Sequence, residues 1–415
     1  MKLIKSLIII SLILILSACN VNKKDTNIKE LEFWTLQLDG FKPYIEEIIS
    51  EFETAHSDIK IKWVDVPFSE GEKRTLAAVM SNAVPDVVNL NPDFSATLAS
   101  KNALLDISQY VSENQLNGYI PETLDNLTFD KKLFGIPWYM TTSITYYNKE
   151  LLKKTNLTEK DLPRNYLDLR KFAAEVKHNG GVYAIMPTIC EKGNLLKILN
   201  KYGAISYENG NLNFENKKTI EILELFKELY QNNLIPKESI TQTHREALEQ
   251  FMSGETVILV SGTNFLSNIK ENSKSVYENL GIYEQLYGDL GKTDFSLMNL
   301  IVPKKSKYPK EAVEFALFLT NKENQLKFSH LAPVFPSQKE ALNDEYFSSE
   351  EGNIESKVRY LGAKQLQNSL TPIKIQNNHS SLNEIVDTMT QEVLLNKKTT
   401  QKALSDAQKT WNEFK

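Results

Sequence analysis

Between Leu31 and Asn91 the apolar pattern changes period several times, and this alternation constrains the fold more than any other feature of the chain. LEFWTL (31–36) is a short β-rich run. KPYIEEIISEFETAH follows, with Pro43 at a first helical turn and Ile45, Ile48, Ile49 and Phe52 at helical spacing. DIKIKWVDV (58–66) sets Ile59, Ile61 and Trp63 against Lys60, Lys62 and Val64, a period of two. KRTLAAVMSNA predicts a helix, and PDVVNLN (85–91) a short buried strand ending in polar residues. Strand, helix, strand, helix, strand is the pattern of a mainly parallel sheet.

The second half carries more helix. Residues 219–236 and 244–255 are amphipathic, the latter ending near Gly254 as a C-terminal cap. TVILVSG (256–262) predicts a buried strand, and PKEAVEFALFLTNKENQLKFS (309–329) one long helix. Further helices are expected over 354–367, 381–396 and 400–414. With 415 residues the chain exceeds one ordinary core, so two lobes are the default. No Gly/Pro/Ser-rich linker divides it, which implies crossovers through short strands.

The N-terminus has a separate logic. Lys2 and Lys5 precede LIIISLILIL (7–16), an apolar run too short for a membrane span, which needs about 20 residues. It has the length of a signal-peptide core. Leu16-Ser17-Ala18-Cys19 then resembles the lipobox of bacterial lipoproteins. That resemblance implies cleavage before Cys19, with residues 1–18 as leader and a lipid on the Cys19 sulfur. Asn20 to Glu30 reads as a polar tether with a reach of roughly 20 Å. The chain has two cysteines, so lipidation of Cys19 leaves Cys190 without a disulfide partner. The formal charge of −5 argues against nucleic acid as a partner.

Catalytic signatures are absent. There is no HExxH, GxSxG or phosphate-loop pattern. The five histidines (56, 178, 244, 330 and 379) are far apart in sequence, and none is at metal-ligand spacing. Glu46-Glu47 and Glu350-Glu351 read as solvated faces. A glycosidase carboxylate pair stays open on the sequence alone, because it needs only spatial proximity.

Five stretches in order carry a family resemblance: EEIISEFETAHSDIKIKWVDV, RTLAAVMSNAVPDVVNLNPDFSATLASKNALLDISQYV, KLFGIPWYMTTSITYYNKELLKKTNL, EQFMSGETVILVSGTNFLSNI and PKEAVEFALFLTNKENQLKFSHLAPVFPSQKEAL. Together they resemble the extracellular solute-binding proteins of sugar-type ABC importers, the maltose-binding-protein-like family. Two places depart from its pattern: no glycine precedes PD in SNAVPD, and Thr141 stands where some members carry an acidic residue.

The resemblance implies an α/β, two-lobed periplasmic-binding-protein-like fold (type II), with two mainly parallel sheets flanked by helices and joined by a hinge. Lobe 1 would be 31–140 with 295–328, and lobe 2 would be 141–294 with 329–415. The crossings would then fall near Met140, Asp294 and Ser329. Ligand would lie between the lobes, at carboxyl ends of strands. The site candidates are Trp34, Asn91, Asp93, Trp138, Tyr139, Thr141, Glu191, Asn264 and Phe265. Asp and Asn suit sugar hydroxyls, and aromatic faces suit the C–H side of a sugar ring. The implied partners are a carbohydrate, ABC permease subunits and the membrane through the lipid on Cys19. The chain is expected to act as a monomer, without cofactor, metal or enzymatic activity. Two alternatives remain at this stage, a surface lipoprotein glycosidase and a receptor for a non-sugar solute such as a polyol phosphate.

Overall fold

A computed structural model of the chain describes residues 28–208, 211–375 and 378–414. The leader, Cys19 and most of the tether lie outside the described residues.

The alternation of the first ninety residues builds the first sheet. In β1 (Lys29–Leu36), Leu31 and Phe33 face the core that receives Ile45, Ile48 and Phe52 of α1 (Lys42–Ala55). Pro43 occupies the first turn of α1, as its fixed φ allows. β2 (Ile59–Val66) buries Ile59 and Ile61 on the same core. Its Asp65 accepts from Thr35 Oγ1 at 2.6 Å and from the amides of Leu38 and Asp39 at 2.9 and 3.0 Å, which fixes the loop after β1. After α2 (Gly71–Ser81), β3 (Val87–Leu90) is buried throughout and leads into α3 (Pro92–Ser100).

β4 (Ile136–Thr141) is the last strand of this sheet before the crossing. The chain passes through Thr142 directly into β5 (Ser143–Asn148) of a second sheet. The second body then contains α4 (Asn194–Lys201), α5 (His244–Met252), β6 (Ile258–Gly262) and β7 (Leu280–Tyr283). β8 (Ser296–Ile301) returns to the first sheet. α6 (Pro309–Leu319), α7 (Lys322–Leu331) and β9 (Phe335–Pro336) follow there, then α8 (Ile354–Leu366), α9 (His379–Leu394) and α10 (Thr400–Glu413). The first core centres on Phe33, Phe52 and Phe315, whose rings meet edge-on at 5.1–5.2 Å. In the second core, Leu195 and Leu199 of α4 pack with Leu382 and Val386 of α9 and Leu404 of α10.

Three expectations need correction. The first sheet, ordered β9-β4-β8-β3-β1-β2, is mixed: β1 pairs in parallel with β2 and β3, while β8 runs against β3 and β4, and β9 against β4. The second sheet, β6-β5-β7, is antiparallel throughout, not mainly parallel. A chain that leaves the first body along β5 and returns along its neighbour β7 must run in opposite directions in the two strands. Buried apolar runs such as TVILVSG look the same in either arrangement.

The expected helix over 309–329 is two helices, broken at Thr320-Asn321. Asn321 caps the second, its side chain accepting from the Asn324 amide. Finally, residues 329–348 do not join the second body. Phe335 pairs with Met140, and Phe335, Leu342 and Phe347 pack in the first core. The third crossing is α8 rather than Ser329. Val358 and Leu361 pack beside the second sheet, and Ala363 and Leu366 in the first core.

Candidate functional site

The first body offers the N-terminal turn of α3, just beyond the carboxyl end of β3. Asn91 caps this helix: its Oδ1 accepts from the Phe94 amide at 2.9 Å, and its Nδ2 donates to Glu72 Oε1 at 2.9 Å. Asp93 follows in the first turn, where the helix dipole favours a carboxylate. Its Oδ2 lies 3.3 Å from Nε2 of His379, which belongs to the second body. Half of the Asp93 side chain meets solvent. Burial pushes its carboxyl above the usual aspartate range, opposed by His379 and Lys197 and reinforced by Glu72.

The second body answers with the starts of three helices. His379 opens α9, and its Nδ1 lies 3.2 Å from Asn383 Nδ2. Asp387, two turns along, accepts from the Gly193 amide at 3.0 Å at the start of α4. Burial pushes the Asp387 carboxyl up to about 6, while the amides of Gly193 and Lys192 pull it down and the charge of Glu191 raises it. Gly193 has φ +68°, and a Cβ there would run into the Asn383 side chain, so α9 approaches this closely only because the residue is glycine. Glu191 accepts from the backbone amide of His244 at 2.8 Å, at the start of α5. The His244 ring sets Nε2 at 2.8 Å from Ser261 Oγ and stands edge-on to Phe265 at 5.1 Å. Burial lowers the pKa of His244, against the charge of Glu191, so the ring is neutral near pH 7. Lys197, exposed on α4, acts electrostatically on both Asp93 and His244.

Of the residues singled out from sequence, the structure brings Asp93, Glu191 and Phe265 into this neighbourhood, with Asn264 beside Phe265 at the end of β6. Asn91 serves it as a helix cap. Thr141 ends β4 opposite Ser296, next to the crossing. Trp138 does not line the cleft: it is fully buried in the first core, stacked on Phe328 at 5.7 Å. Tyr139 is half-buried, edge-on to the same ring at 5.3 Å. Trp34 donates its indole N–H to Glu32 Oε1 at 2.6 Å, lies under the Arg74 guanidinium at 5.8 Å, and packs on the face of the first sheet that holds Leu36 and Val88. Residues that sequence reasoning missed are Lys197, His244, Ser261, His379, Asn383 and Asp387. A helix-start signal stood only at α5, in Thr243 and Glu246.

Ser261 and His244 are at a nucleophile–base distance. Ser261 is only 1% exposed, however, and Glu191 binds the His244 backbone rather than its ring, so no third group among the described residues orients the imidazole. Among the described residues no cluster of His, Cys, Asp and Glu could hold a metal. Cys190 is free and packs against the second core, and burial raises its thiol pKa. This place offers hydrogen-bonding groups and an aromatic edge.

Residues 37–326 match the family model described as bacterial extracellular solute-binding protein. The chain belongs to that family. A galactooligosaccharide-binding protein of Bacillus subtilis (strain 168) is 23% identical over 312 residues, covering 72% of this chain and 71% of the relative. The maltodextrin-binding protein MdxE of the same organism is 26% identical over 262 residues, covering 62% and 61%. Among solved structures, a periplasmic-binding protein of Synechococcus sp. MITs9220 superposes with TM-score 0.85 at 29% identity, covering 92% of this chain and 98% of that one. The periplasmic-binding-protein architecture expected from sequence is therefore the observed one, apart from strand direction. The family is one of extracellular binding proteins, and no helix among the described residues is long and apolar enough to cross a membrane.

Proposed function

We propose that this solute-binding protein captures an oligosaccharide between its two bodies and delivers it to an ABC permease, while the lipid on Cys19 holds it at the outer face of the membrane. The observation that carries this reading is the meeting of Asp93 from the first body with His379 from the second, 3.3 Å apart. The same place gathers Lys197, Asp387 and the neutral His244, a set of donors and acceptors suited to hydroxyls. Phe265 supplies an apolar edge for a ring. The relatives named for galactooligosaccharides and maltodextrins support a sugar as the solute.

The lobes we propose are 31–141 with 296–348, and 143–283 with 367–414, linked at Thr142, at 284–295 and through α8. The protein acts as a single chain and performs no covalent step.

The test is a thermal-shift screen over galactooligosaccharides, maltodextrins and arabinooligosaccharides, followed by calorimetry and by chromatography of the recovered sugar. A ligand at 100 times its dissociation constant adds about 2.7 kcal/mol to the folded state, enough for a visible shift. A bound, unhydrolysed oligosaccharide is the expected result. No shift with any sugar, or recovery of shortened sugar, overturns the reading.

A further inference from the structure

Lys201 is the last residue of α4 and is 2% exposed. Its Nζ donates to Gln285 Oε1 at 2.6 Å and to the Leu286 carbonyl at 3.2 Å, and lies 3.4 Å from Asp294 Oδ2. Gln285, 1% exposed, uses every hydrogen-bonding position of its side chain. Oε1 also accepts from the Asp294 amide at 3.1 Å, and Nε2 donates to Thr142 Oγ1 at 2.8 Å and to the Asp294 carbonyl at 2.9 Å. The Gln285 amide donates to Gln365 Oε1 at 2.7 Å, and Gln365 Nε2 donates to the Ser143 carbonyl at 3.1 Å. Thr142 and Ser143 belong to the first crossing, Gln285 and Asp294 to the second, and Gln365 to α8, the third. One buried network ties all three to the second body, and among the described residues its only cation is Lys201.

We propose that Lys201 is the positioning residue of the hinge: its buried ammonium clamps Gln285 and Asp294, so that opening and closing bend the chain only on the first-body side of Thr142 and Asp294. A buried charge that loses its partners is strongly unfavourable. Any hinge angle that draws Gln285 or Asp294 away from Lys201 leaves such a charge, or forces an ammonium whose pKa burial already lowers to give up its proton, so those angles are disfavoured. Lys201 also lies one helical turn after Lys197, on the helix whose start is held by Asp387. The second body, from the cleft wall to the crossings, therefore turns as one piece. The inference concerns the fold and depends on no particular ligand.

Hydrogen–deuterium exchange of the ligand-free full chain reads this directly, because the Gln285 and Asp294 amides are bonded to side chains of the network. In Lys201→Met, which keeps the length of the side chain, exchange over 284–296 and 140–145 should quicken roughly tenfold. Exchange over 195–200 of α4 should stay at the wild-type rate, which general destabilisation would not allow. Apparent affinity for any sugar found by screening should fall by a similar factor, because fewer molecules hold the binding-competent angle. Asp294→Asn, which keeps an acceptor but removes the counter-charge, should act in the same direction, more weakly. If Lys201→Met does not fold, Asp294→Asn decides the matter on the same readout. Wild-type exchange at both crossings in the folded variant, or equal acceleration in α4, overturns the proposal.

Discussion

Replacing Asp93 by asparagine should weaken sugar binding without unfolding the protein. A hydrogen bond from a sugar hydroxyl to an ionised carboxylate contributes about 1.5–3 kcal/mol. Against that, the ligand must displace His379, whose pair with Asp93 has side chains 27% and 51% exposed. A pair so open to water is worth about 0.2–1 kcal/mol. The net loss is about 0.5–2.8 kcal/mol, or roughly 2- to 100-fold in affinity. Stability should change little. The other described bond at this residue, from Thr97 Oγ1 to the Asp93 carbonyl, is a backbone contact that the substitution keeps. The lost helix-dipole interaction is about 0.3–1 kcal/mol.

The pH dependence separates this from a packing effect. Burial raises the Asp93 carboxyl, so on acidification it takes up a proton before an ordinary aspartate does. Wild-type affinity should therefore fall with pH more steeply than that of the asparagine variant, in which Asp387 still takes up a proton. Stability moves the other way: protonation is easier in the folded than in the unfolded chain, so the folded state gains as pH falls toward the ordinary aspartate range. Titration calorimetry at pH 7.5 and 5, with the sugar found by screening, measures the affinity of both proteins at each pH. Equal affinity of the two proteins at pH 7.5 refutes the placement of Asp93 in the site.

Cys19→Ser should release the protein from membranes or stall its processing; fractionation that finds the variant still lipidated contradicts the lipobox reading. Trp138→Ala should lower unfolding free energy by about 3–5 kcal/mol, because a fully buried indole leaves a cavity, yet leave the affinity of the folded protein unchanged. A selective loss of sugar binding in that variant would return Trp138 to the cleft. Asp387→Asn removes a carboxylate held at about 6 by burial. The variant should be more stable than wild type at pH 7.5, by about 1 kcal/mol after solvent screening, and the advantage should fade as pH falls through about 6 toward the ordinary aspartate range, where the wild-type group is protonated. Urea unfolding at the two pH values measures it, and a difference independent of pH contradicts the assignment.

The first body was legible because its signals are local. Ile59 and Ile61 alternate with lysines, and Ile45, Ile48 and Phe52 recur at helical spacing, so each element shows its buried face in a short window. Strand direction was not legible, since β5 and β7 bury both faces and carry no alternation to read. The site divides in the same way. Asp93 stands out because it follows a strand and a proline at a helix start. His379 does not: its role depends on α9 bringing it to a residue 286 positions away in the chain. Trp138 misled because an aromatic on a crossover strand serves equally well as core or as cleft wall, and only its stacking on Phe328 decides.

The cross-lobe contacts themselves limit what the protein can do without a ligand. Among the described residues, two ion pairs bridge the proposed lobes, Asp93 with His379 and Asp125 with Lys374. At about 0.2–1 kcal/mol each, they supply about 2 kcal/mol at most. Driving a hinge from 1:99 to 99:1 closed takes about 5.5 kcal/mol. Those pairs are already counted in the ligand-free balance, so the full ~5.5 kcal/mol must come from ligand contacts that exist only when both walls are engaged, which two to four hydrogen bonds to charged groups can provide, at about 1.5–3 kcal/mol each. A sugar that reached Asp93 alone would bind open and closed forms equally and could not shift them. One that also reaches Lys197 or Asp387 gains its extra bonds only on closure, and that difference is what shifts the hinge.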